Sequence, residues 1–140
     1  MEINFVNTTQ IRVRYGETDQ MGYVYYGNYA LFFEVGRVEA MREIGMAYRE
    51  LEEMGIMLPV KEMAIQYKSA AQYDDLLTVR TEIVSLEGVR LLFNYEILKE
   101  NKLLVTGTTT LVFVNKSTMR PTAPPEKFTA LIKNVVKSAQ

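Results

Sequence analysis

Hydrophobic and polar positions alternate along much of this chain, and the period of the alternation changes along it. Ile11, Val13 and Tyr15 alternate with Arg12 and Arg14, which is the period of a half-buried strand. Gly16 ends that run, and a loop of turn-forming and polar residues extends to Gly27. Asn28 is a good N-cap type. From Tyr29 to Ile44 the spacing becomes helical, and Leu31, Val35, Val38 and Met41 form an apolar stripe at steps of three and four, the pattern of a helix packed on a core. Gly45 is a suitable stop, and a second helical piece is expected from Ala47 to Met54, before Gly55. Strand periodicity then returns. Met63, Ile65 and Tyr67 form one alternation, Leu77 to Ile83 a second, Val89 to Ile97 a third, and Leu103 to Val114 a Thr- and Val-rich fourth. Tyr73-Asp74-Asp75, Glu87-Gly88 and Glu100-Asn101-Lys102 supply the turns between them. Pro121, Pro124 and Pro125 interrupt regular structure, and Glu126 to Lys137 reads as a terminal helix with Phe128, Leu131, Ile132 and Val135 on one face.

One strand, a long helix and four strands joined by short turns predict an α+β fold, with an antiparallel sheet carrying the helix on one face. At 140 residues the chain is expected to form one domain, 1–140, large enough to bury a real core.

Composition narrows the chemistry. The chain has neither cysteine nor histidine. Thiolate nucleophiles, Ser-His-Asp catalysis and His- or Cys-ligated metals are therefore excluded. Acid–base chemistry near neutral pH falls to carboxylates, Lys, Tyr or the backbone. The only aspartates are Asp19, Asp74 and Asp75. A net charge of −1 gives no global basic field to attract nucleic acid. No stretch approaches the length of a membrane span, and the first residues carry no leader pattern, so a cytoplasmic protein is expected.

The segment that carries chemistry runs Tyr15-Gly16-Glu17-Thr18-Asp19-Gln20-Met21-Gly22-Tyr23-Val24-Tyr25-Tyr26-Gly27-Asn28-Tyr29. It sets a carboxylate after a strand and a few residues before a helix entry. Gly22 and Gly27 let the backbone turn and approach a ligand closely. A helix entry offers unpaired N–H groups and the positive end of a dipole. A carboxylate on one side and N–H donors on the other are what attack on a thioester carbonyl requires.

This stretch resembles the signature of the 4-hydroxybenzoyl-CoA thioesterase family and its acyl-CoA thioesterase relatives: an acidic pair, a glycine, V-x-Y, then N-Y at the helix start. Tyr67-Lys68-Ser69-Ala70-Ala71-Gln72-Tyr73-Asp74-Asp75 is similar to the family's second block, and the likeness runs over about residues 9 to 115. The resemblance implies the hotdog fold, an antiparallel sheet of about five strands wrapped around one long helix. It implies hydrolysis of acyl-CoA thioesters without metal or other cofactor, in a homodimer or a tetramer of paired dimers, with sites at the subunit interface. Asp19 then matches the family's catalytic carboxylate, as nucleophile or general base, and the Tyr26 N–H the donor that polarises the carbonyl. Gly22, Tyr23 and Gly27 line the acyl site, and Lys68 and Arg90 are candidates for the phosphates of CoA. Many relatives carry His where this chain has Gly27, so any help from that side chain is missing here. An acyl-carrier-protein substrate, or a non-catalytic acyl-binding module of the same fold, are the alternatives the sequence leaves open. Glu17, two residues from Asp19, is read as a solvated charge, and Asp74 and Asp75 as turn and strand-entry residues. Gly36 inside the helix is read as a point of close packing on the sheet.

Overall fold

The computed structural model describes residues 1–138, so the last two residues of the expected 1–140 domain lie outside the described residues. The elements run β1 (Glu2–Arg12), α1 (Tyr29–Ile44), α2 (Tyr48–Glu53), β2 (Ile56–Met57), β3 (Val60–Tyr67), β4 (Leu76–Glu87), β5 (Arg90–Lys99), β6 (Lys102–Val112), β7 (Val114–Asn115) and α3 (Glu126–Ser138). Two 3-10 turns, Tyr15–Glu17 and Tyr26–Asn28, lie between β1 and α1.

Five strands make one antiparallel sheet in the order β1-β4-β5-β6-β3, and β2 pairs with β7 alone. β4, β5 and β6 form a meander with two-residue connections, closing at Glu87 opposite Arg90 and at Lys99 opposite Lys102. Gly88 takes φ +63° in the first of these turns, the left-handed region that glycine enters without steric cost. β1 and β3 occupy opposite edges of the sheet. The chain between them must cross from one edge to the other, and α1 makes that crossing over one face.

That face is apolar because side chains alternate along each strand. Leu77, Val79 and Ile83 of β4 and Leu91, Phe93 and Ile97 of β5 are buried under the helix layer, while Arg80, Glu82, Asn94 and Glu96 stand on the opposite face. α1 contributes Phe32, Phe33, Ala40 and Met41 to the same core. Two glycines allow the layers to meet. A methyl group at Gly36 would overlap Thr81 Oγ1 and come within 2.8 Å of Val79 Cγ1. One at Gly107 would overlap the Phe33 ring and come within 3.0 Å of the Ala64 carbonyl oxygen. α3 closes one end with Phe128, whose ring lies 5.1 Å from that of Phe113.

The stripe Leu31, Val35, Val38 and Met41 is not the buried side of α1. Leu31 is 55% and Val35 40% exposed, and of the four only Met41 is buried. The face on the sheet is Tyr29, Phe32, Phe33, Gly36, Arg37, Ala40 and Ile44. α1 is apolar on both sides, so periodicity does not choose between them. Aromatic area and the small residues Gly36 and Ala40 do, because rings bury most surface and small residues permit close approach. Two local expectations also shift. β1 stops at Arg12, and Tyr15, 79% exposed, opens a 3-10 turn instead of continuing the strand. Asn28 does not cap α1 through its side chain, because the 3-10 turn before it runs straight into the helix.

Gly36→Ala is expected to destabilise the protein by about 1–3 kcal/mol through overpacking, even though alanine favours helix by up to ~1 kcal/mol. Denaturant unfolding checks this, and an unchanged or raised midpoint would refute the close-packing account.

Candidate active site

The segment between β1 and α1 folds into a tight loop held by its own backbone. The Asp19 N–H donates to the Tyr23 carbonyl at 2.8 Å, and the Gly22 N–H returns to the Asp19 carbonyl at 3.0 Å. Gly22 takes φ +82° to make this possible. Asp19 Oδ1 accepts the N–H groups of Met21 at 2.9 Å and Tyr23 at 3.2 Å. Asp19 thus orients itself by a local turn of the kind aspartate favours. Its Oδ2 accepts no hydrogen bond among the described residues.

Glu17 does something other than sit in solvent near Asp19. Its carboxylate turns back, accepts the Arg14 N–H at 2.7 Å and pairs with the Arg14 guanidinium at 3.1 Å. That bond, with the attraction of Glu17, raises the guanidinium pKa of Arg14. The Glu17 carbonyl accepts the Tyr25 N–H at 2.9 Å and the Asn28 side-chain amide at 2.9 Å. The two residues read as a free charge and a helix cap therefore tie the start of the loop to its end.

The turn at Tyr26–Asn28 leads directly into α1. The N–H groups of Tyr26 and Gly27 find no hydrogen-bond acceptor among the described residues. Tyr26 is 63% exposed, and its carbonyl accepts the Tyr67 hydroxyl at 3.2 Å. The space that a side chain at Gly27 would fill is held by the Tyr25 ring, 2.8 Å from where its Cβ would lie.

An open cleft of about 350 Å³ gathers Asp19, Tyr23, Val24, Tyr26, Tyr29, Tyr67 and Lys68. Asp19, Tyr23, Tyr26 and Lys68, read from sequence as site residues, therefore share one cleft, while Gly22 and Gly27, read with them, adjoin these residues in the chain without lining it. Arg90 does not join them in this chain. It begins β5 opposite Val112, whereas the Lys68 N–H bonds to the Leu104 carbonyl near the other end of β6. Eight residues of strand separate those levels, about 25 Å. Among the described residues no group of three His, Cys, Asp or Glu side chains converges as metal ligands would.

Two contributors escaped the sequence reading. Tyr29, taken as packing, is buried, and its hydroxyl accepts the Ala71 N–H at 3.1 Å. Burial raises its pKa, and the bond from Ala71 works against that rise. The signal lay in its place, first in a helix and inside a cluster of phenols. Asp75, taken as a turn residue, is anchored on both carboxylate oxygens. Arg37 is also buried, 8% exposed, beside the phenols of Tyr48 and Tyr95. Burial holds the Tyr48 hydroxyl far above the ordinary phenol range, and the nearby guanidinium only partly opposes this.

Comparison with known proteins identifies the family. Residues 13–132 match the profile of the thioesterase-like superfamily. An acyl-CoA thioesterase of Haemophilus influenzae, YbgC, is 36% identical over 121 residues, covering 86% of this chain and 89% of the relative. An acyl-CoA thioester hydrolase of Escherichia coli O6:H1, also YbgC, is 34% identical over 133 residues, covering 91% of this chain and 99% of the relative. Among solved structures, a DHNA-CoA thioesterase from Staphylococcus aureus superposes with a TM-score of 0.88 at 31% identity, covering 93% of this chain and 90% of that one.

Tyr29→Phe leaves the buried Ala71 N–H without an acceptor. It is expected to cost about 1–3 kcal/mol in denaturant unfolding, and a loss below about 0.5 kcal/mol would mean that the bond is not made.

Proposed function

Because the chain belongs to the thioesterase-like superfamily and is a thioesterase of the hotdog fold, we propose that it hydrolyses acyl-CoA thioesters in the cleft between Asp19 and the helix entry. The observation that supports this reading is one open cleft lined by both Asp19, a carboxylate with one free oxygen, and Tyr26, whose backbone N–H has no acceptor among the described residues. The thioester carbonyl binds with its oxygen toward the Tyr26 N–H and its carbon toward Asp19. Negative charge grows on that oxygen as a nucleophile adds, and a preorganised donor is worth most there. Two routes use the same carboxylate. Asp19 takes a proton from water as the water adds, or it adds directly and gives a mixed anhydride that water then opens. Either way the C–S bond breaks, the thiol of CoA leaves and a free carboxylic acid remains. The Tyr23 and Tyr26 side chains, with Gly22 and Gly27, bound the acyl group.

The cleft is open because it is half of a site. β3 is an edge strand paired only with β6, and it is exposed on both faces, with Val60, Met63 and Tyr67 each more than two-fifths uncovered. A flat exposed edge of this kind is a template for another strand. Two copies joined there by a two-fold axis bring the Val60 end of one β3 to the Tyr67 end of the other. Arg90, at the Val60 end of its sheet, then reaches toward the partner's cleft, where it and the local Lys68 meet the phosphates of CoA. The outward stripe of Leu31 and Val35 on α1 is the surface on which two such dimers would double.

Asp19→Asn is expected to fold normally and to lose about 10²-fold or more in kcat across a panel of aromatic and aliphatic acyl-CoAs. Tyr26→Ala keeps the N–H and should mainly change KM, whereas Tyr26→Pro removes it and should cost roughly 10²–10³-fold in kcat. Full activity in a folded Asp19→Asn protein would sink the mechanism. Light scattering at micromolar concentration should give at least twice the 16.1 kDa chain mass, and a monomer would contradict the shared site.

A further inference from the structure

Asp75 lies in the connection from β3 to β4, outside the cleft, and takes no part in the chemistry proposed above. Its carboxylate is nevertheless almost enclosed, with 13% of the side chain exposed and Oδ1 2.9 Å from Lys99 Nζ. Oδ2 accepts the Gln72 N–H at 2.8 Å. The backbone around it interlocks with the end of β1. The Val13 N–H donates to the Asp75 carbonyl at 2.9 Å, and the Asp74 N–H donates to the Val13 carbonyl at 3.1 Å. Asp74 itself is held at φ +70°, a conformation that a non-glycine residue keeps only when its surroundings enforce it.

The turn fixed in this way touches both halves of the site. On one side the Ala71 carbonyl accepts the Val24 N–H at 2.8 Å, and the Tyr73 N–H donates to the Gly22 carbonyl at 3.3 Å. Those bonds grip the loop whose Tyr23 N–H orients the Asp19 carboxylate. On the other side the Ala71 N–H donates to the Tyr29 hydroxyl, on the first residue of α1. A single turn therefore holds the carboxylate loop with one set of bonds and the helix entry with another.

We propose that Asp75 is a positioning residue of the thioesterase site: its paired carboxylate locks the 71–75 turn, and the locked turn sets the separation between Asp19 and the N–H groups of Tyr26 and Gly27. This rests on the function proposed above. Burial opposes ionisation of Asp75, but Lys99, the Gln72 N–H and Arg12 outweigh it and hold its carboxyl below the ordinary value. The lock is accordingly charged at neutral pH. Releasing it shifts reacting groups without removing them, and a displacement of the order of 1 Å costs as much as ~10²-fold in rate.

The test compares Asp75→Ala, Asp75→Asn, Asp74→Asn and Asp19→Asn on the same acyl-CoA panel, with amide hydrogen exchange on each protein. Asp75→Ala should lower kcat by roughly 10–100-fold with KM changed by less than about threefold. Exchange at the Tyr23 and Val24 amides should quicken while β5 stays protected. Asp75→Asn should recover only part of the loss, since its amide oxygen still accepts the Gln72 N–H but no longer pairs with Lys99. Asp74→Asn, whose side chain is exposed and whose φ asparagine tolerates, should match wild type. A wild-type kcat in Asp75→Ala beside an inactive Asp19→Asn overturns the proposal, as does loss of protection throughout the sheet, which would make the role merely structural. Wild-type activity in Asp19→Asn would be the separate failure of the functional reading. In that case unchanged Tyr23 and Val24 exchange in Asp75→Ala still overturns the lock.

Discussion

The close approach of α1 to the sheet governs the rest of this structure. Gly36 sits against Thr81 and Val79 where no Cβ would fit, and Phe33 lies across Gly107 in the same way. Protein interiors are packed to crystal density, so a helix seated this deeply has little freedom to slide or rotate. Its depth fixes where its first turn emerges. Its burial of Tyr29, Phe32 and Phe33 decides that Tyr26 and Gly27, just before it, stand at the surface with their N–H groups free. The site is thus a consequence of helix packing as much as of the residues that line it.

The second requirement is that a separate segment find the helix entry. The Asp19 loop is built from local bonds, with Gly22 and the aspartate's own carboxylate closing it and Glu17 and Asn28 fastening its ends. Local bonds give the loop a shape but do not fix where it sits. That placement comes from the connection between β3 and β4, which bonds to the loop at Val24 and Gly22 and to the helix at Tyr29. The loop and the helix entry are neighbours in sequence, and the β3–β4 connection, 42 residues on from Tyr29 at Ala71, joins both in one small network. Thioester hydrolysis as proposed needs this, because electrophilic assistance and attack must act on opposite sides of the same carbonyl.

Much of the fold was legible because strand periodicity is direct. Once one side of a strand is buried, every second residue of β4 and β5 is committed to the core. The limits of α1 were legible for the same reason, and its orientation was not. Leu31 and Val35 have helical spacing, but so do Phe32, Phe33, Gly36 and Ala40, and only packing volume separates the two sets. Arg37 follows Phe33 by four and sits on the buried face, a placement hidden while the wrong stripe was taken as the core. The first part of β1, rich in Asn, Thr and Gln, gave no alternation to read and is an edge strand held by β4. At the candidate site, Asp19, Tyr23 and Tyr26 were read from the motif and Lys68 as a candidate for the CoA phosphates, and one cleft gathers them. Arg90 was chosen from its hairpin, and a single chain leaves it at the far end of the sheet. Asp75 looked like turn chemistry because its bond from Gln72 is local to the turn, while its partner Lys99 comes near only when β4 and β5 are paired.

The central claim is that Asp19 and the helix-entry N–H groups converge on one thioester carbonyl. A crystal structure with a non-hydrolysable acyl-CoA analogue tests it most directly. The account predicts the carbonyl oxygen at about 3 Å from the Tyr26 nitrogen, with the Asp19 carboxylate facing the carbonyl carbon directly or through one water. An analogue bound with its carbonyl away from the Tyr26 and Gly27 N–H groups, and out of reach of Asp19, would contradict it.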